Sequence, residues 1–174
     1  IKIILLDILK NKIVLAYALI MALLSWSSFA LEDNSSKGLL TILNIILFTV
    51  PLVSILFSTI YIYNSAEFIE LLLSQPIKRI KIWLSLFFGL SISMVLAFGV
   101  GAGIPLLINA PDSIGLMMVV VGSLISVIFV ALAFLSSILT RDKAKGIGIA
   151  IMTWRYFALI FDGMVLFLLF QFQE

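Results

Sequence analysis

The chain has 174 residues, of which 63% are hydrophobic and 11% charged, with a formal net charge of +2. So few polar residues cannot cover a soluble fold of this size. The absence of cysteine and histidine excludes a disulfide scaffold and a Cys/His zinc site, and the small, dispersed positive charge excludes a nucleic-acid surface. An integral membrane protein remains.

A bilayer core of about 30 Å requires about 20 helical residues. Five stretches meet that length: Ile13–Leu31, Leu39–Tyr63, Ile82–Asn109, Gly115–Leu139 and Ile147–Phe172. Each is apolar all round instead of along one stripe, and none alternates as a β-barrel strand does. The expectation is therefore an all-α polytopic helical bundle. An interfacial segment, 1–12, precedes the first span. The chain begins at Ile1 and ends at Glu174 directly after an apolar run, which reads as a fragment lacking a short head and a longer tail. No small-residue cleavage site follows the first apolar stretch, so no signal peptide is read.

Charge distribution orients the bundle. Lys2, Lys10 and Lys12 precede span one; Lys78, Arg79 and Lys81 separate spans two and three; Arg141, Lys143 and Lys145 separate spans four and five. The other two connections carry only Lys37, beside Glu32, Asp33 and Asp112, and Arg155 lies within a span. The positive-inside rule makes the basic side, and the N-terminus with it, cytoplasmic. An odd number of spans then leaves Glu174 outside. Tyr61, Tyr63, Trp83 and Trp26 fall near span ends and read as interfacial anchors.

Between spans two and three the chain keeps a helical pattern outside the bilayer. Asn64 followed by Glu67 has the spacing of a capping box, Glu67 and Glu70 suit the positive end of a helix dipole, and Pro76 disfavours helix at Gln75. Glu67, Glu70 and Ser74 share one face, and Phe68, Leu71 and Leu72 another. A short amphipathic helix at 64–76 can rest on the inner leaflet or dock on a cytoplasmic partner. Two glutamates beside anionic lipid favour docking.

In span five, Arg155 and Asp162 are seven residues apart, on one face of an α-helix. Such a pair can fix packing, line a substrate path or form part of a proton relay. Gly99 and Gly103 form a G-x-x-x-G, a motif for close helix approach, and Pro51 and Pro105 are expected to bend their spans. The six methionines are scattered over the spans and read as apolar packing, so no metal site or other cofactor is expected. No G-x-x-x-x-G-K-[ST] run is present, and neither is a Cys- or His-based nucleophile–base pair. The chain is not expected to be an enzyme on its own.

The run YIYNSAEFIELLLSQPIKR (Tyr61–Arg79) after the second span resembles the coupling-helix region of type-two ABC transporter permeases, as does SSILTRDKAKGIGIAI (Ser136–Ile151). LEDNSSKGLL (Leu31–Leu40), Q-P-I-K-R and Trp154–Gly163 are similar to the Nos-type branch, permeases linked to nitrous-oxide-reductase maturation. The resemblance covers essentially the whole chain. It implies six transmembrane helices, of which five are present, and an interfacial N-terminal helix. It also implies a homodimer in a bacterial or archaeal inner membrane and a separate cytoplasmic ATPase. The coupling helix falls on Ser65–Gln75, with Ser65, Glu67, Phe68, Glu70, Leu71, Gln75 and Arg79 as coupling residues. In the Nos branch a periplasmic partner takes part, and the complex is associated with supplying sulfur or copper. An apolar residue is more usual in the family where Arg155 stands. The alternatives from the residues alone are an ATP-independent carrier using Asp162 and Arg155, and a membrane scaffold recruiting factors through the 64–75 helix.

Overall fold

A computed structural model describes residues 7, 8, 10–31, 35–74, 78–110, 112–161 and 163. Among them every regular element is helical and no strand occurs. Helix α1 runs Lys12–Leu31, α2 Ser35–Asn64, α3 Ala66–Leu73 and α4 Arg79–Phe98. A π turn, Gly99–Gly103, leads into α5, Ile104–Asn109. Then come α6, Ser113–Leu139, α7, Lys143–Arg155, and a second π turn, Tyr156–Phe161.

Four of these helical runs are long and apolar enough to cross a membrane: Lys12–Leu31, Lys37–Asn64, Arg79–Asn109 and Ser113–Leu139. They coincide with the first four expected spans. The fifth, Ile147–Phe172, is described only as the upper part of α7 and the π turn; most of residues 162–172 lie outside the described set.

Local chemistry sets the helix ends. Asn11 caps α1, its Oδ1 accepting from the Ile13 amide at 3.0 Å. Asp142 caps α7 through the Ala144 amide, also at 3.0 Å. Within the helices, hydroxyls fold back on carbonyls one turn earlier: Ser28 on Leu24, Ser123 on Val119, Ser126 on Gly122 and Thr153 on Ile149. This keeps those four hydroxyls satisfied in an apolar surround, while the hydroxyls of Tyr17, Ser54, Ser58, Ser91 and Ser93 are buried without a protein partner.

The core forms where α1, α2, α4 and α6 meet, around Met21, Ile46, Val50, Leu90, Met94, Phe98 and Val130. The α2–α6 pairing is the most extensive contact between elements. Outward faces carry Leu19, Leu23, Leu40, Leu84, Leu124 and Ile128, all exposed, as expected for surfaces that meet lipid.

The third span is the most enclosed of the four. Its buried residues include Gly89, Ser93, Ala97 and Gly101, a small residue every fourth position. Bulkier Leu90, Met94 and Phe98 form the neighbouring stripe. Close approach falls on Gly101: a Cβ there would lie 2.7 Å from the Ala18 carbonyl oxygen and 2.9 Å from Met21 Cβ. This corrects the expectation for Gly99. Gly99 faces open space, and Gly103 is in ordinary contact with Val119. Helix α1 crosses on the 89–93–97–101 row, one half-turn away from the motif's first glycine. The same stretch is wound as a π turn, with the Ile104 amide reaching back to the Gly99 carbonyl. That wider turn lies immediately ahead of Pro105, which has no amide to give and whose ring crowds the preceding turn. Pro51, in contrast, lies inside continuous α2.

Candidate functional site

Helix α3 leaves α2 with a single residue between them. The Ser65 amide donates to the Tyr61 carbonyl, closing α2, and the Ile69 amide to the Ser65 carbonyl, opening α3, both at 2.9 Å. Asn64 is therefore the last residue of α2 and not the cap of α3, which corrects the capping-box expectation. Its side chain is engaged elsewhere, with Oδ1 accepting from Lys143 Nζ at 2.7 Å.

Among the described side chains of α3, one is buried. Ile69 is 6% exposed and packs with Ile82 and Leu86 of α4, flanked by Tyr61 and Phe134. The other described side chains of the helix turn outward. Glu67 and Glu70 are exposed, and so are Phe68 and Leu71, at 50% and 67%. Four of the expected coupling residues, Glu67, Phe68, Glu70 and Leu71, thus form one accessible surface in which two carboxylates border two large apolar side chains. At the far end the Ser74 hydroxyl donates to the Leu71 carbonyl at 2.7 Å, occupying one of the last-turn acceptors. Lys78, Arg79 and Lys81 follow, all exposed. Gln75 and Pro76 lie outside the described residues.

The aromatic residues expected to be membrane anchors behave differently here. Tyr61 donates to Asp7 Oδ2 at 3.1 Å, tying α2 to the N-terminal segment. Tyr63 donates to the Thr140 carbonyl at 2.7 Å, and its ring covers Gly146 so closely that a Cβ on Gly146 would overlap it. Trp83 packs edge-on against Phe134, ring centres 5.8 Å apart. Only Trp26, 60% exposed, keeps the outward position expected of an anchor. The last turn of α2 is therefore a junction. It carries α3, holds the N-terminal segment through Asp7, and clasps the α6–α7 connection through Thr140, Lys143 and Gly146. The sequence marks Lys143 only as a charge that orients the bundle, and it does not single out Thr140 or Gly146. The available signal was a glycine in the first turns of α7, where a helix former is the default.

Farther along α7, Trp154 donates from Nε1 to the Phe48 carbonyl at 3.2 Å and packs edge-on against the Phe48 ring at 4.8 Å. Helix α7 thus starts at the end of α2 and meets its middle eleven residues later. Arg155 is exposed in the last turn of α7 and has no hydrogen-bond or ion-pair partner among the described residues. Asp162 lies outside the described residues. The stretch Tyr156–Phe161 that separates the two positions in the sequence is wound as a π turn.

Met21, Met94 and Met118 belong to the core, and Met117 and Met152 point outward. No group of three His, Cys, Asp or Glu that could hold a metal occurs among the described residues.

The fold defines a multi-pass helical membrane protein, with a short helix displayed beyond the end of its second span. No family model matches the chain, and no curated protein matches it either.

Proposed function

We propose that the chain is the permease subunit of an ABC transporter of the type-two class, driven by ATP hydrolysis in a separate cytoplasmic subunit. The observation that carries this reading is α3, which packs on the bundle through Ile69 and displays Glu67, Phe68, Glu70 and Leu71. A helix meant to lie on an inner leaflet would put basic residues beside its apolar side chains, since anionic headgroups repel carboxylates. Carboxylates around a phenylalanine suit a protein groove with basic walls.

In this reading α7 begins a fifth span, and the N-terminus, α3 and the α6–α7 connection lie on the cytoplasmic side. Nine of the eleven Lys and Arg residues support that orientation: Lys2, Lys10, Lys12, Lys78, Arg79, Lys81, Arg141, Lys143 and Lys145. The membrane is a bacterial or archaeal inner membrane, and the working unit is a homodimer with its ATPase subunits. Within the Nos branch, the cargo is a sulfur species, or mechanical work is passed to a periplasmic partner. Copper fits less well, since the methionines among the described residues divide between core and outward faces.

The test is purification of the tagged chain from native membranes, with mass spectrometry of stoichiometric partners and ATP turnover of the complex. An ATP-binding subunit is expected. Glu67→Lys should release it, and Phe68→Ala should abolish coupled turnover, with membrane insertion unchanged in both. Unaltered turnover in both variants overturns the reading. Partner binding without ATP turnover would instead identify a scaffold, and gradient-driven flux without ATP a carrier.

A further inference from the structure

We infer that the outward face of α7 is a binding groove for one anionic phospholipid of the cytoplasmic leaflet. The inference rests on the reading of α7 as a span that starts at the cytoplasmic surface.

Helix α7 has two distinct faces. Gly146, Ala150 and Trp154, at four-residue spacing, face α2: the first under Tyr63, the second fully buried, the third bonded to Phe48. The other face is an open groove of about 690 Å³ lined by Lys145, Gly148, Ile149, Met152, Thr153 and Tyr156. Gly148 forms its floor, with nothing within 4 Å of where a Cβ would stand. Thr153 spends its hydroxyl on the Ile149 carbonyl at 2.8 Å. The side-chain polar groups left at the groove are the Lys145 ammonium at one end and the Tyr156 phenol at the other.

Length and charge select the occupant. Lys145 to Tyr156 is eleven residues, about 16 Å of helix, close to half of a hydrocarbon core of about 30 Å. The groove therefore runs from headgroup level to the bilayer middle, the reach of one leaflet. Lys145 is exposed at its mouth, and Arg141 and Lys143 are exposed in the connection just before it, against one acid, Asp142, whose carboxylate already caps α7. Lys143 donates to Asn64, a neutral acceptor, so its charge is not compensated there. A lipid phosphate at the mouth with an acyl chain over Gly148 and Met152 satisfies both ends. A second copy of the chain fits worse. A twofold axis along the membrane normal would bring its Lys145 to the same level and set two ammonium groups together.

The test uses the full chain in detergent, delipidated and then offered phosphatidylglycerol or phosphatidylcholine, with retained lipid counted by native mass spectrometry. One phosphatidylglycerol per chain should be retained in preference to phosphatidylcholine. Lys145→Gln should reduce that preference about fivefold, the factor for one basic residue at a bilayer surface. Gly148→Leu fills the groove without meeting a neighbour, so it should abolish retention while the lipid-free melting temperature stays unchanged. Equal retention of both lipids, or retention unaffected by Gly148→Leu, overturns the inference. A dimer mass lost in Gly148→Leu in place of lipid overturns it in favour of a second copy. Ala144→Cys labelled only from the periplasmic side would overturn the orientation and the leaflet assignment together. Loss of the transporter reading alone leaves these masses unmoved, since no nucleotide or cargo enters the measurement.

Discussion

The Tyr63 hydroxyl donates to the Thr140 carbonyl at 2.7 Å while its ring occupies the space that any side chain on Gly146 would need. This contact joins the end of the second span to the start of α7, and α3 hangs from the same turn. A displacement of α3 by a partner therefore acts on a turn that α7 and the N-terminal segment also hold.

The clasp can be separated into a bond and a fit. Tyr63→Phe removes only the hydrogen bond and should lower stability by about 1 kcal/mol. Gly146→Leu drives a side chain into the ring and should cost about 3 kcal/mol. In a Tyr63→Ala background Gly146→Ala should be neutral or stabilising, because the obstruction is gone and alanine is the better helix former. Thermal unfolding of the four variants in detergent gives the coupling. Additive losses would mean that the two residues do not share a site.

Glycines two residues apart should respond oppositely. Gly101→Ala places a Cβ against the Ala18 carbonyl and Met21, and should destabilise the protein by about 1–3 kcal/mol. Gly99→Leu meets nothing and should lie within about 0.5 kcal/mol of the parent. Melting temperatures measured side by side check the pair, and the reverse order would place α1 on the wrong row.

On α3, anchoring and display are carried by adjacent residues. Ile69→Ala should loosen the helix from Ile82 and Leu86 by about 2 kcal/mol, read as faster amide exchange confined to α3. Phe68→Ala, at a half-exposed position, should leave exchange unchanged. Exchange that rises equally in both would mean that Phe68 also holds the helix in place.

The cap of α7 should depend on an acceptor and not on a charge. Asp142→Ala should cost about 1 kcal/mol, and Asp142→Asn almost nothing, since both Asp and Asn accept from the Ala144 amide. Unfolding of the two variants at low and high salt decides it. A salt-sensitive loss in Asp142→Asn would assign the effect to charge.

The amino-acid sequence by itself determined the class of protein and the bounds of its first four spans. Hydrophobic runs of membrane length admit one secondary structure, because an unpaired amide in lipid is too costly for any other. It also placed a short helix after Asn64, because Glu67 and Glu70 interrupt the apolar run there. Which way that helix turns was a tertiary matter. The pattern offered Phe68, Leu71 and Leu72 as an apolar face, but Ile69 finds the cavity beside Ile82 and Leu86, and Phe68 and Leu71 are left outside. The same holds for Gly101, chosen over Gly99 and Gly103 by the line along which α1 crosses, and for Asn64, drawn from a local cap to Lys143, seventy-nine residues away. Periodicity along one chain reports where a residue sits on its own helix. Only the packing of one helix on another decides which of those faces is filled, and by whom.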